Sequence, residues 1–163
     1  MSFLRRTEKQ PTAFDHARIL VPLSGDSDVD DPALKVATLL LAGRAGVEVS
    51  LLHVIEVPFE RTLDTEDESA VQRADEILVR AERLLAAKGV PTRTSTVQAR
   101  AAGAAIVDDA NELGADLIVM GLRYKKRFGG QWDAGRTVPY VMRNSTAPVW
   151  CLRAETKELA HTP

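Results

Sequence analysis

Short apolar segments alternate with amphipathic segments along most of the chain, a pattern that predicts strands alternating with helices. The first strand is expected at 17–23, where an apolar run ends at a Ser-Gly pair. A helix is expected to begin at Asp31-Pro32, because Asp is a good N-cap residue and Pro is favoured at the first helical position. The remaining strands are predicted at 47–54, 92–97, 116–120 and 148–152, and the remaining helices at 70–85, 102–113 and 138–144.

This alternation predicts an α/β domain, in which a single open parallel sheet carries helices on both faces through right-handed crossovers. The segment 117–120 is uniformly apolar, as expected of a strand that is covered on both sides. In such sheets, ligands bind beyond the carboxyl ends of the strands, where the strand order reverses. A functional site is therefore expected after Leu23, Val54 and Met120, and the acidic segment 55–68 is interpreted as a mobile loop.

Length and charge narrow the class of protein. The 163 residues suit one domain, expected at 17–153 between a polar N-terminal tail or linker at 1–16 and a C-terminal tail at 154–163. The 21 basic and 23 acidic side chains give a net charge of −2, which argues against a dedicated nucleic-acid-binding protein. A single cysteine, Cys151, excludes an internal disulfide framework, and no apolar run approaches the roughly 18 residues of a membrane span. A globular cytoplasmic protein is expected.

The segment 121–137 holds the densest concentration of candidate chemistry. Its glycines let backbone N–H groups approach a phosphate, and the helix expected behind it offers free N–H groups and the positive end of a dipole. The alternative is a solvated surface loop with incidental basic residues. The glycines are Gly121, Gly129, Gly130 and Gly135, and the basic residues are Arg123, Lys125, Lys126, Arg127 and Arg136.

A P-loop is rejected, although residues 130–137 nearly match the Walker A pattern. The segment begins ten residues beyond Met120, whereas a P-loop follows its strand directly. Arg136 also stands where the motif requires a lysine, and an arginine is a poor substitute for a compact point charge.

No other group of residues supports a specific chemistry. Asp26, Asp28 and Asp30 have the spacing of the first ligands of an EF-hand, but the required glycine and glutamate are missing. They are interpreted as stabilising a helix N-terminus, with Mg²⁺ contact through water a minor option and no dedicated metal ligands identified. His53 is interpreted as a satisfied strand residue and Cys151 as a small buried hydrophobe. The chain is not expected to be an enzyme, or at most a slow ATPase.

Several segments, in their order along the chain, resemble the universal stress protein family, and the resemblance covers about Ala17 to Arg153. It implies a Rossmann-like fold with a five-stranded sheet of order 3-2-1-4-5, and usually a dimer paired through the last strands. The family contains members that bind ATP and members that do not. The most specific segments are Ile-Leu-Val-Pro-Leu at 19–23, Leu-Leu-His-Val at 51–54, Glu-Leu-Gly-Ala-Asp-Leu-Ile-Val-Met-Gly at 112–121, Tyr-Val-Met-Arg at 140–143 and Ala-Pro-Val at 147–149.

At the strand ends, the residues of this chain match the family's nucleotide-binding residues only in part. Ser24 stands where members that bind nucleotide usually have an Asp, which removes a charged acceptor for adenine or ribose. Val54, at the end of the second strand, keeps the adenine-facing character that the resemblance implies.

The loop also departs from the family motif G-x-x-G-(nine residues)-G-(S/T). Gly121 matches the first glycine of the motif, and Tyr124 replaces the second. Gly135 lies one residue beyond the position of the third glycine. The loop therefore resembles a variant subgroup, in which Gly129 and Gly130 supply the backbone approach. The residues expected to bind nucleotide are Pro22, Leu23, Ser24, Val54, Met120, Gly121, Arg123, Gly129, Gly130, Gly135, Arg136, Thr137 and Val138.

Two functions stay open at this point, beside the slow ATPase named above. The first is a regulatory module of the stress response that binds ATP or another adenine nucleotide. The second is a dimerisation or interaction domain without a nucleotide, including a cytoplasmic regulator attached to a membrane transporter. In either case a homodimer is expected through the last strand, because Val149, Trp150 and Leu152 form an apolar edge that needs a partner.

Overall fold

The computed structural model describes residues 16–64, 67–123, 125–126 and 132–153, and only the backbone is described at 125–126 and 132–133. The expected tails, except for His16, lie outside the described residues, as do Gly129 and Gly130. The strands are β1 (Arg18–Leu23), β2 (Glu48–Glu56), β3 (Thr92–Ala99), β4 (Leu117–Gly121), β5 (Lys125–Lys126), β6 (Trp132–Asp133) and β7 (Val149–Leu152). The helices are α1 (Ser27–Leu41), α2 (Glu68–Ala86), α3 (Ala102–Leu113) and α4 (Thr137–Asn144).

The main sheet has five parallel strands in the order β3-β2-β1-β4-β7, and β5 and β6 form a separate antiparallel pair. The expected order 3-2-1-4-5 is therefore confirmed, with β7 as the fifth strand. The strand order reverses between β1 and β4, which are neighbours in the sheet although two strands separate them along the chain. The switch point lies there, so the carboxyl ends of these two strands meet at the place where ligands bind in such folds.

Both faces of the sheet are covered, and alternate residues of β1 enter different cores. Ile19, Val21 and Leu23 pack with residues of α1 and α2 on one face. Leu20 packs with residues of α3 and α4 on the other face. Burial of β1 and β4 on two sides explains why their sequences are continuous apolar runs and not alternating ones. The expectation of helices on both faces is confirmed.

The predicted start of α1 is wrong by about one turn. The helix begins at Ser27, and its N-cap is Asp26, whose side chain accepts a hydrogen bond from the backbone N–H of Asp28 over 3.1 Å. Asp31 is thus an interior residue of the helix, and Pro32 lies inside it. Pro32 is the sixth residue of α1, beyond the first turn, so the carbonyl of Asp28 lacks the usual N–H donor four residues further along the helix. The sequence contained two acceptable N-caps, and the earlier one is used.

Among the described residues, no helix is long and apolar enough to cross a membrane. The segment expected as a loop at 55–68 is shorter than predicted, since β2 continues to Glu56 and α2 begins at Glu68.

Candidate functional site

A cleft of ≈ 420 Å³ opens at the carboxyl edge of the sheet, above the switch point. Its walls come from the ends of β1, β2 and β4 and from the start of α4. Every expected site residue that the structure describes lines this cleft: Pro22, Leu23, Ser24, Val54, Met120, Gly121, Arg123, Gly135, Arg136, Thr137 and Val138. The side chains of Lys125 and Lys126, and all of Arg127, Gly129 and Gly130, lie outside the described parts of the chain.

Gly121 sets how closely β4 approaches α1 at the base of the cleft. A Cβ atom at this position would lie 1.9 Å from the carbonyl oxygen of Val29, a distance that atoms cannot adopt. The glycine is therefore required for backbone proximity and not for a positive φ angle. Its place in the motif has a structural reason that is independent of any ligand.

The turn between β1 and α1 is built around a buried carboxylate. Asp30 is only 2% exposed. Its Oδ1 accepts hydrogen bonds from the backbone N–H of Ser24 over 2.8 Å and from the Ser24 hydroxyl over 2.9 Å. Its Oδ2 accepts from the N–H of Gly25 over 2.8 Å. Burial raises the pKa of the Asp30 carboxyl above its ordinary value, and these donors counteract that shift by stabilising the charged form.

A surface ion pair beside the cleft joins the segment after β4 to the N-cap of α1. Arg123 follows β4, and its guanidinium lies 2.6 Å from Oδ2 of Asp26, the N-cap residue of α1. Both side chains are partly exposed. Arg123, which the sequence assigned to anion binding, is thus already paired with a carboxylate.

The N-terminus of α4 faces the same cleft. Its N-cap residue, Arg136, makes no side-chain capping bond, so the side chain of Arg136 does not occupy the first N–H groups of the helix. Gly135 precedes it with a φ of +72°, and a Cβ atom at Gly135 would meet no atom of the described residues within 4 Å. The helix start, with Arg136 and Thr137 on the cleft wall, is suited to bind an anion.

Two polar residues lie at the end of β2. The ring of His53 places Nδ1 2.9 Å from the carbonyl oxygen of Leu23, so Nδ1 must carry the hydrogen of that bond. Glu56 accepts a hydrogen bond from the N–H of Ala102 over 2.8 Å. The Glu56 carboxylate therefore takes the capping role at the start of α3, whose own N-cap residue, Ala101, has no polar side chain.

Sequence reasoning missed Asp30, Glu56 and His53 as residues that line the cleft. Asp30 was assigned only to a helix dipole, and its apolar neighbours Val29 and Ala33 in the helix pattern were the available signal of a buried position. Glu56 reaches the cleft because β2 extends past Val54, which the sequence placed at the strand end. His53 lies within the predicted strand and was interpreted there as a satisfied strand residue. Among the described residues, no group of three or more His, Cys, Asp or Glu side chains is arranged to hold a metal ion.

These features define a doubly wound α/β domain with a ligand-sized cleft at its switch point. The model of the universal stress protein family matches residues 16–153. The chain belongs to the universal stress protein family. None of the curated proteins matches it.

Solved structures have the same fold. A universal stress protein from Archaeoglobus fulgidus is 26% identical, with a TM-score of 0.66 over 85% of this chain and 94% of that chain. A structure of the universal stress protein from the same organism, in complex with dAMP, is 24% identical with a TM-score of 0.67, over 85% of this chain and 98% of that one. A universal stress protein family protein from Arabidopsis thaliana with AMP bound is 14% identical, with a TM-score of 0.65 over 87% and 94% of the two chains.

Proposed function

We propose that this protein is a regulatory module that binds an adenine nucleotide in the cleft at the switch point. The observation that carries the proposal is the meeting of three features in one cleft. These are the apolar carboxyl ends of β1 and β2, the close approach of β4 to α1 that Gly121 allows, and the N-terminus of α4, where the N-cap side chain makes no capping bond. Two relatives with the same fold hold adenine nucleotides, dAMP in one and AMP in the other.

The phosphate end of the ligand is assigned to the start of α4. Backbone N–H groups after Gly135, the Thr137 hydroxyl and the Arg136 guanidinium supply donors, and the helix dipole favours negative charge. The base is assigned to the apolar part of the cleft, where Val54, Ile106 and Met120 supply apolar surface. This arrangement fits a ligand that has an anionic group at one end and a flat, apolar group at the other.

Phosphate is expected to contribute more to affinity than the nucleoside. Hydrogen bonds to a charged group contribute about 1.5–3 kcal/mol each, so removal of all phosphates should weaken binding at least about tenfold. Binding of ATP should also weaken as salt is added, because exposed charges are screened over about 8 Å at physiological ionic strength.

Calorimetry with ATP, AMP, GTP and adenosine tests the proposal, using the parent protein and Gly135→Val. A valine at Gly135 projects a branched side chain beside the phosphate position and is expected to abolish ATP binding. Gly89→Val is the matched control, since Gly89 has a similar φ of +69°, equal free space and a position outside the cleft. Equal ATP affinity in the Gly135→Val and parent proteins would contradict the phosphate site.

The same titrations, together with an assay of phosphate release from ATP, separate the other functions that the sequence leaves open. An interaction domain without nucleotide predicts no heat with any of the four ligands. A slow ATPase predicts steady phosphate release that Gly135→Val abolishes, whereas the binding module proposed here predicts binding without turnover.

We further propose that two copies pair along β7. This strand lies at the end of the sheet order, and its residues are only half-buried. Met142 of the neighbouring helix α4 is also exposed, at 59%, whereas Tyr140 of that helix packs against Gly103 of α3. A strand edge of this kind is a liability unless it is paired or covered.

A further inference from the structure

Ser24 has a hydrogen-bonding arrangement that limits what its hydroxyl can do for a ligand. The side chain is exposed and lines the cleft, but it donates its only hydrogen to Oδ1 of the buried Asp30 over 2.9 Å. The hydroxyl therefore has no hydrogen to donate elsewhere. One of its two lone pairs accepts from the backbone N–H of Asp26 over 3.2 Å, which leaves one lone pair for a ligand.

The negative charge of Asp30 reaches the cleft through this hydroxyl. Asp30 itself is 2% exposed, and both of its oxygens accept hydrogen bonds within the turn. Asp30 borders the cleft, but these bonds and its burial leave little of its surface for direct contact with a ligand. A hydroxyl that donates to a carboxylate becomes a stronger acceptor, because hydrogen bonds in a chain polarise one another.

We propose that Ser24 is a specificity-determining acceptor, which recognises an N–H or O–H donor of the bound nucleoside, and that Asp30 is the positioning residue that holds it in this state. The inference rests on the proposed nucleotide-binding function and adds to it the chemistry that selects the nucleoside. An unconstrained serine accepts or donates equally well and discriminates little. This serine instead favours an amine and disfavours a carbonyl oxygen, since two acceptors that face each other are both left unpaired.

Paired nucleotides that differ in one donor test the inference. AMP and IMP differ at position 6 of the base, where an amine donor is replaced by a carbonyl acceptor. AMP and its 2′-deoxy and 3′-deoxy forms differ in one ribose hydroxyl. The parent protein is expected to bind AMP about tenfold more tightly than at least one of these analogues, the size expected for one hydrogen bond and one unpaired acceptor.

Variants assign this preference to the two residues. Ser24→Ala removes the acceptor and should reduce the preference to within about twofold, while Ser24→Thr keeps a hydroxyl and should retain it. Asp30→Ala frees the Ser24 hydroxyl to donate and should also remove the preference. Asp28→Asn is the matched control, because it removes a negative charge in the same first turn of α1 and should leave the preference unchanged.

Asp30→Asn provides a second test of the positioning role if Asp30→Ala does not unfold cooperatively. It removes the charge but keeps an acceptor, so the preference should fall by about half on a free-energy scale, since charge-assisted hydrogen bonds are roughly twice as strong as neutral ones. An Asp30 with only a structural role would lower stability and leave the ratio of AMP to analogue affinities unchanged, and that result would overturn the inference.

The possible failures are distinguishable. If the parent binds AMP but has no preference, or if Ser24→Ala keeps the full preference, the inference is wrong and the proposed function stands. If the parent binds neither AMP nor ATP, the proposed function is wrong and the inference falls with it.

Discussion

Gly121 lies where β4 passes closest to α1, and it has no room for a side chain. A Cβ atom there would lie 1.9 Å from the carbonyl oxygen of Val29, so Gly121→Ala forces the strand and the helix apart. Overpacking of this kind costs about 1–3 kcal/mol of unfolding free energy or more, which urea denaturation measures. Gly43→Ala gives a reference cost of backbone strain alone, roughly 1–2 kcal/mol, because Gly43 has a φ of +74° and no described atom lies within 4 Å of a Cβ there. A smaller loss at Gly121 than at Gly43 would show that the close approach is not rigid.

The ion pair between Asp26 and Arg123 predicts that an N-cap residue competes with the ligand. Asp26→Asn should raise ATP affinity about two- to fivefold, because exposed ion pairs contribute roughly 0.2–1 kcal/mol and their loss frees the guanidinium. Asn caps a helix about as well as Asp, so α1 should persist. Calorimetry of ATP binding measures the change. Asp28→Asn controls for the general field, and an equal gain in both variants would contradict a specific competition.

At the scale of secondary-structure elements, the periodicity of apolar residues predicted almost every helix and strand. The short strands β5 and β6 were not predicted, and the start of α1 shows what local signals leave undecided. Asp26 and Asp31 are both acceptable N-caps, and the choice depends on Asp30 reaching back to the turn at Ser24 and Gly25. That contact joins two elements and is not visible in a linear pattern. The same holds for Glu56, whose capping of α3 depends on where two strand ends meet.

Helix α3 contains a carboxylate that its surroundings do not stabilise. Within the described part of the chain, Oδ2 of Asp109 is buried without a hydrogen-bond partner. Burial, and then the nearby charge of Glu112, raise the pKa of Asp109. Since the folded state disfavours the charged form, Asp109 stabilises the fold most below its unfolded pKa, and that contribution is lost as pH rises through the raised folded pKa.

Asp109→Asn should therefore be more stable than the parent at pH 7, by about 0.2–0.5 kcal/mol, the usual size of a like-charge effect within a helix. The gain should disappear as pH falls through the raised pKa of Asp109, because the parent then carries a neutral carboxyl as well. Urea denaturation of both proteins at a series of pH values measures the difference. A gain that is independent of pH would contradict the electrostatic explanation.

At the scale of the whole molecule, the pairing of β7 with β4 determines how a dimer can form. The carbonyl oxygens of Pro148 and Leu152 accept hydrogen bonds from β4. In a parallel ladder the N–H and C=O of one residue point to the same side, and the sides alternate, so Val149 presents its N–H to the open edge. Val149→Pro removes that donor at the first residue of the strand, where proline is tolerated.

This variant should be a monomer, whereas the parent should be a dimer in analytical ultracentrifugation across a range of concentrations. Trp150→Pro is a contrasting variant, because it removes an N–H that faces β4 and should destabilise the sheet itself. A parent that is monomeric at all concentrations, or a Val149→Pro variant that stays dimeric, would contradict pairing along this edge.

The α/β class followed from the order of apolar segments, whereas the strand order was what the family resemblance implied. Strand order places Leu23 and Gly121 side by side, and the family motif covers both. The chemistry within the cleft could not be predicted in the same way. Ser24 was expected to lack a charged group, yet the carboxylate of Asp30 lies directly behind its hydroxyl, six residues further along the chain. Such contacts depend on how the turn closes in three dimensions.

The central claim is that an adenine nucleotide binds at the carboxyl edge of the sheet. Titration of the ¹⁵N-labelled protein with AMP tests it most directly, because each backbone amide reports on its own surroundings. Saturable shifts are expected at the amides of Ser24, Gly121 and Thr137, and none at Glu48 and Thr92, which begin β2 and β3 at the opposite edge. The absence of shifts at millimolar AMP, or shifts confined to the opposite edge, would contradict the account.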